Sequence, residues 1–333
     1  MIISRSPLRI SLGGGGTDLP SYYRKHEAFL ISAAINKYVY VGIHKTFEKG
    51  FYLKYSNYER VQKVENIKHP IIKESIKSFK NNILDNIEII SLADIPARTG
   101  LGSSGSFTTA LLLALYRYKK KKISKEQLAE LACSIEIKKL NEPVGKQDQY
   151  ISVYGGLKKM KINTKGKVTV SNLKISKKNI NNLQSKLSIF FTGYLRKSSK
   201  ILSNQNQKTI KNDREIIENL HQIKDIGLKS LKALEKTQFD DFAYLMNEHW
   251  NKKIERDKLM SNSKINKIYQ IGINNGGALG GKLIGAGGGG FLMFYSNNKN
   301  KLIKTITKHG LKQVDFSFDF NGTQIISQNE EKF

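Results

Sequence analysis

The stretch Pro96-Ala97-Arg98-Thr99-Gly100-Leu101-Gly102-Ser103-Ser104-Gly105-Ser106 runs directly into the apolar, helix-forming segment from Phe107 to Tyr118. Glycine lets the backbone turn tightly, and the start of a helix leaves amide N–H groups without intrahelical partners. The helix dipole favours negative charge at the same end, and small hydroxyls stand beside it. The stretch therefore predicts a phosphate cradle at a helix N-terminus.

Working outward, Ile2 to Leu12 alternates as a strand does and empties into Gly13-Gly14-Gly15-Gly16-Thr17-Asp18. Four consecutive glycines are too costly in entropy for a helix or a central strand, so they predict a tight loop with backbone close to a ligand. Ala34 to Lys45 and Phe51 to Tyr58 read as β, His69 to Asn82 as helix, and Asn86 to Leu92 as the strand that feeds the Pro96 loop. Helices are expected over 105–118 and over 125–140, the second opened by Ser124 with Gln127 three residues on, a capping-box pattern. Turns and strands are expected from Val144 to Val170, and the polar span Ser171 to Lys186 reads as a linker or domain boundary. After a strand at 187–192 comes a mostly helical block to Asn275. Lys282 to Ile284, Gly285 to Gly290 and Phe291 to Tyr295 then give strand, glycine loop, strand, before a helix near 299–309 and a strand near 314–320. The pattern is α+β, with two domains over residues 1–175 and 176–333 that share a glycine-lined cleft.

Composition narrows the class. The longest apolar run, Ala110 to Leu115, is far short of the roughly 20 residues that span a bilayer. The start of the chain lacks the apolar region and cleavage site of a signal peptide, and the single Cys133 cannot form an intrachain disulfide, so a cytoplasmic protein is expected. The formal charge of +28 would ordinarily suggest nucleic acid or an anionic membrane. Only nine of the 56 basic residues are Arg, however, and the lysines are spread along the whole chain among Asn and Ile. A nucleic-acid reader concentrates Arg for bidentate contacts. Neither nucleic acid nor membrane is expected as a partner, and the surplus charge instead favours small anionic substrates.

Among phosphate-binding signatures, the Walker A pattern and the kinase H-R-D and D-F-G elements are absent. Gly285-Ala286-Gly287-Gly288-Gly289-Gly290 satisfies G-x-G-x-x-G but is followed by the β-like Phe291-Leu292-Met293-Phe294-Tyr295, whereas a dinucleotide fingerprint opens a helix. What remains is a phosphoryl-transfer set: an anion cradle, a magnesium ligand set and a residue that orients or deprotonates the nucleophile. The hydroxyls of Ser103 and Ser104 and the carboxylate of Glu136 can hold Mg²⁺, which takes a few oxygen ligands beside phosphate and water. Asp148 follows Glu136 by twelve residues across Gly145, which could swing it into the same cleft.

In these motifs the chain resembles the GHMP kinases, the superfamily of galactokinase, homoserine kinase, mevalonate kinase and phosphomevalonate kinase. Pro7 to Asp18 is similar to its first motif, Pro96 to Ser106 to its ATP-binding second motif, and Gly285 to Phe291 to its third. The resemblance implies an N-terminal domain like the second domain of ribosomal protein S5, a ferredoxin-like C-terminal domain, and ATP and acceptor between them. It implies that Gly100, Leu101, Gly102, Ser103, Ser104, Gly105 and Ser106 wrap the ATP phosphates, with Ser104 and Glu136 on Mg²⁺. Asp148 would be the catalytic base. Arg9 would sit near the acceptor hydroxyl, lowering its effective pKa, or hold Asp148 in its charged form. Asp18 matches the first-motif aspartate that holds sugar hydroxyls, next to Thr17.

Within the superfamily, Gly13 to Gly16 replace the bulkier and charged residues of galactokinases. Phe191 to Ser199, His249-Trp250-Asn251-Lys252-Lys253 and Gly276 to Lys282 look like the heptose 7-phosphate kinases, which phosphorylate an anomeric hydroxyl. That branch implies a phosphorylated sugar and ATP as partners, and leaves a homodimer open. Arg196, Lys253 and the amides of Gly13, Gly14, Gly15 and Gly16 are the candidates for the acceptor's phosphate, with Gly287 and Gly288 of the third motif also in the acceptor site. L-fucose kinase is the alternative within the same superfamily, and a sugar sensor without catalysis is a further one.

Overall fold

The first strand, β1 (Ile2–Gly13), runs into the short helix α1 (Pro20–His26) and returns as the 18-residue β2 (Ala28–Lys45), antiparallel to it. This is a computed structural model, which describes residues 1–79, 86–195 and 198–328. The hairpin β3 (Phe51–Lys54) and β4 (Tyr58–Val61) follows, then helix α2 (Pro70–Lys77) and β5 (Ile87–Ala93). Helices α3 (Ser103–Tyr118), α4 (Lys125–Cys133) and α5 (Gln147–Tyr154) precede β6 (Leu157–Ile162), β7 (Val168–Asn172) and helix α6 (Lys177–Lys186). The sheet has the order β12-β1-β2-β5-β3-β4, with β6 also on β2 and β7 on β6. It is antiparallel except for the β3–β5 pair.

The second half begins with β8 (Leu187–Phe191), then helices α7 (Ser198–Ile210), α8 (Arg214–Glu235), α9 (Phe239–Arg256) and α10 (Ser263–Asn274). Strands β9 (Ala278–Leu283) and β10 (Phe291–Ser296), helix α11 (Lys299–Lys308) and β11 (Lys312–Val314) complete an antiparallel sheet of order β11-β8-β10-β9. This is the ferredoxin-like arrangement, with Phe190, Phe294, Trp250 and Leu302 filling the layer between sheet and helices. The final strand β12 (Gln324–Gln328) crosses back to pair with β1 at the edge of the first sheet. The division at 175/176 is a proposal from chain order; β12, in the second part, pairs with the sheet of the first.

Strand β2 explains much of the architecture. Ala28, Leu30 and Ala34 join a core with Leu128, Ala129 and Tyr150 of α4 and α5, while Phe29, Ile31 and Ala33 join the larger core that includes Ala233 and Leu234 of α8. A strand covered on both faces has no polar side to show, so its sequence reads as a nearly continuous apolar run.

Three expectations change. The span read as turns and strands after Val144 contains α5, whose eight residues lie between Gly145 and Gly155 and give too short a period to register as a helix. The span read as a polar linker contains α6, capped by the Ser176 hydroxyl accepting from the Asn179 amide and anchored by buried Leu183. The segment 51–58 is two strands, because the chain reverses between Lys54 and Tyr58.

Candidate active site

Glycine allows the cradle to form. Gly102 takes the N-cap position of α3 with φ +79°, a conformation that an L side chain rarely adopts. The first intrahelical bond is Ser106 N–H to the Gly102 carbonyl, which leaves the amides of Ser103, Ser104 and Gly105 at the open end of the helix. Across from it, the third glycine loop touches the second backbone to backbone: a Cβ at Gly290 would lie 2.0 Å from the Thr99 carbonyl oxygen. Both loops and the first one line a single cavity of about 760 Å³.

Arg9 and Asp148 meet in that cavity. The Arg9 Nε donates to Asp148 Oδ1 at 2.8 Å and Nη2 to Oδ2 at 3.0 Å, a bidentate pair. Nη1 donates to the Gly100 carbonyl, and the Arg9 amide to the Leu101 carbonyl at 2.9 Å, so strand, loop and aspartate form one rigid unit. Asp148 stands in the first turn of α5, and a Cβ on Gly105 would lie 2.9 Å from its own Cβ. The close approach of α3 to α5 thus depends on Gly105.

Glu136 is buried and has no cationic partner among the described residues. It lies in a π-helical turn, Ser134–Lys139, that continues α4; such turns redirect side chains, often at functional sites. The Ser104 hydroxyl donates to Oε2, and Gln149 Nε2 donates to Oε1 at 2.9 Å. Burial raises the Glu136 carboxyl above the ordinary value, opposed by those hydrogen bonds. A buried carboxylate beside a serine hydroxyl at a helix start is a donor set suited to a hard divalent cation, which would restore the charge.

The first glycine loop divides its labour. Gly15, Gly16 and Asp18 line the cavity, whereas Gly13 and Gly14 do not. A Cβ at Gly14 would lie 1.9 Å from the Phe29 carbonyl oxygen, and one at Gly13 would lie 3.2 Å from the Gly227 Cα of α8, so these two serve packing. Thr17 is buried, its hydroxyl donating to the Gly14 carbonyl at 2.8 Å. Asp18 Oδ2 accepts the Gln147 amide at 3.0 Å and sits where any side chain on Gly145 would be. Burial is the main cause that raises its carboxyl, with the Gln147 amide opposing and the Asp148 charge adding.

Other predicted residues are placed as follows. Gly100, Gly102, Ser103, Ser104 and Gly105 line the cavity. Leu101 is in the hydrophobic core, and the Ser106 hydroxyl is taken by the Pro7 carbonyl and the Ser152 hydroxyl, tying α3 to β1 and α5. Gly287 lines the cavity, while the Gly288 amide donates to the Met260 carbonyl at 2.7 Å and holds the loop. Lys253 faces the cavity; Arg196 lies outside the described residues.

Sequence reasoning missed a group of cations around Lys253. His249, Lys253 and Arg256 are buried on one face of α9 at spacings of four and three, continuing the buried stripe of Phe242 and Met246. Lys282 of β9 joins them, its Nζ 3.2 Å from His249 Nδ1. The signal was present: a helix whose apolar stripe turns basic without changing face. Burial lowers the Lys282 ammonium to about 7, with the Arg9 charge adding. Burial, then the neighbouring cations, lowers Lys253 and His249 well below their ordinary values.

The chain also resembles known proteins along its length. The model of the GHMP kinases N terminal domain matches residues 70–156 and that of the GHMP kinases C terminal matches residues 230–310, together a little over half of the chain. The chain is similar to the D-glycero-alpha-D-manno-heptose 7-phosphate kinase of Campylobacter jejuni, 29% identical over 97% of this chain and 98% of that protein. It is also similar to the bifunctional fucokinase/GDP-fucose pyrophosphorylase of Arabidopsis thaliana, 24% identical over 89% of this chain but 30% of that protein. In fold it matches the crystal structure of a D-glycero-D-manno-heptose 1-phosphate kinase from Bacteroides thetaiotaomicron, with TM-score 0.82 and 23% identity over 99% of this chain and 100% of that one. With both family models matched in order and a fold shared end to end, the chain belongs to the GHMP kinases.

Proposed function

We propose that the protein transfers the γ-phosphoryl group of ATP to the anomeric hydroxyl of D-glycero-α-D-manno-heptose 7-phosphate, giving the 1,7-bisphosphate that serves nucleotide-activated heptose and surface glycan synthesis. The observation that carries the reading is the Arg9–Asp148 pair, held bidentately in the same cavity as the open N-terminus of α3. The choice of acceptor is supported by the heptose 7-phosphate kinase to which the chain is 29% identical along nearly its whole length.

In this reading the amides of Ser103, Ser104 and Gly105 bind the ATP phosphates, since they are unpaired donors at the positive end of α3. Ser104 and Glu136 would hold Mg²⁺, which when bound neutralises charge on the phosphates. Asp148 accepts the acceptor's hydroxyl proton, and the Arg9 fork fixes the carboxylate so that its orientation does not have to be found anew in each turnover. Asp18, anchored by the Gln147 amide, accepts from a sugar hydroxyl. Ser11, buried in the cavity wall with its hydroxyl unpartnered, is a further group available to the sugar.

A coupled ADP-release assay with heptose 7-phosphate, fucose, galactose and mannose tests the reading. Turnover is expected with the heptose phosphate alone; robust turnover of a free hexose with none of the heptose phosphate would overturn it.

A further inference from the structure

We propose that Arg256, Lys282 and Lys253 form a subsite for a phosphate ester carried by the acceptor itself, an inference that rests on reading the chain as a kinase of a phosphorylated sugar. Buried cations cost several kcal/mol each unless they are paired. Among the described residues none of these three has a carboxylate partner. Arg256 gives Nε to Asn219 Oδ1 at 3.1 Å and Nη1 to Gln205 Oε1 at 2.7 Å, both neutral, and its Nη2 is buried with no partner among the described residues. Lys253 Nζ donates to the carbonyls of Leu283 and Gly285 and lies 5.8 Å from the centroid of the Trp250 ring, and Lys282 Nζ faces the His249 ring. Burial lowers the Arg256 guanidinium to about 10, opposed by the charge of Asp257, whose Oδ1 accepts the Leu259 amide at 2.8 Å. The fourth cation, Arg9, is already engaged by Asp148.

Three cations with free donor capacity, lining one cavity, match a dianionic phosphate monoester. Their attachment indicates which phosphate. Arg256 packs against the first glycine loop: a Cβ at Gly16 would lie 2.5 Å from its Nη1. Gln205, which holds Arg256, also donates to the Gly16 carbonyl at 2.9 Å. The cluster is thus built onto the loop that carries Asp18, while the Ser103–Ser104 amides supply a separate anion site for the nucleotide. The low proton affinity of Lys282 fits a group that awaits an anion and becomes fully charged when one arrives.

The test is a comparison of kcat/KM for heptose 7-phosphate and for the unphosphorylated heptose in the wild type, Lys282→Met and Arg256→Gln. Each substitution is expected to lower kcat/KM for the phosphorylated sugar by about 10- to 100-fold, the range of one lost charge-assisted contact. The unphosphorylated sugar and KM for ATP should be unaffected. Lys282→Met removes a buried charge and shortens the unbranched side chain by one atom only, so it is expected to fold even where Arg256→Gln does not. Equal losses for both sugars, or a raised KM for ATP, would overturn the subsite. If a different sugar phosphate proves the true acceptor and shows the same dependence on Lys282, the subsite stands and the heptose reading falls.

Discussion

The two walls of the cavity carry opposite electrostatic deficits. On the α3 wall, Glu136 is a buried carboxylate with no cation partner among the described residues, held by Ser104 and Gln149. On the α9 wall, Lys253, Lys282 and Arg256 are buried basic groups with no carboxylate partner among the described residues. Both arrangements oppose stability, and they do not cancel each other, because no ion pair joins them among the described residues. Between them stands a bidentate charged pair, Arg9 with Asp148. The difference teaches that the charges we propose to bind ligands are left unsatisfied on either side, whereas the pair we propose to act at the reacting hydroxyl is held bidentately.

The largest expected effect breaks the centre. Asp148→Asn should lower kcat by about 10²- to 10⁴-fold while ATP binding, measured by calorimetry, persists, since proton acceptance is lost and the cradle is not. Near-normal turnover in that variant would mean that another group acts as base. On the α3 wall, Glu136→Gln should raise the Mg²⁺ concentration needed for half-maximal rate by about 10- to 100-fold. An unchanged Mg²⁺ dependence would remove Glu136 from the metal set. Gly105→Ala tests the seam between α3 and α5, where its Cβ would lie 2.9 Å from that of Asp148. Overpacking there should cost about 1–3 kcal/mol in denaturant unfolding, and a variant as stable as the wild type would show that the helices can separate freely.

The smallest effect sharpens the α9 wall. With Lys282 lowered to about 7 and its ordinary value 10.5, the unfolded chain binds more protons than the native one between those limits. This group therefore makes the ligand-free protein more stable as pH rises through that window, and its unfavourable charge is fully present below about pH 7. Sulfate, whose own charge does not change in this range, should raise the melting temperature more at about pH 6 than at about pH 8.5, and Lys282→Met should reduce that difference, the rest coming from Lys253 and His249. Identical sulfate shifts at both pH values in the wild type would show that Lys282 does not meet the anion.

Legibility from the sequence followed the range of each signal. The α3 cradle was readable because helix start, glycines and hydroxyls are contiguous, and the strand of Ile2–Gly13 because its period is local. Within the motifs the sequence could not separate residues that line the site from residues that hold it. Gly13, Gly14, Thr17, Leu101 and Ser106 sit inside the glycine loops yet are committed to Gly227, Phe29, the core and Pro7. Arg256 and Lys282 were hidden for the opposite reason. In a chain with 56 basic residues a lysine or arginine is unremarked until tertiary packing buries it. The helical nature of α5, and so the place of Asp148 in a first turn, depends on contacts with α3 and β1 that no local period reveals.

The most direct test of the account is the position of the transferred phosphate. Incubation of the protein with ATP, Mg²⁺ and D-glycero-α-D-manno-heptose 7-phosphate, followed by phosphorus NMR, should give one new phosphate resonance coupled to the anomeric proton, with the original ester signal retained. Absence of transfer, or a new phosphate on any other carbon, would contradict it.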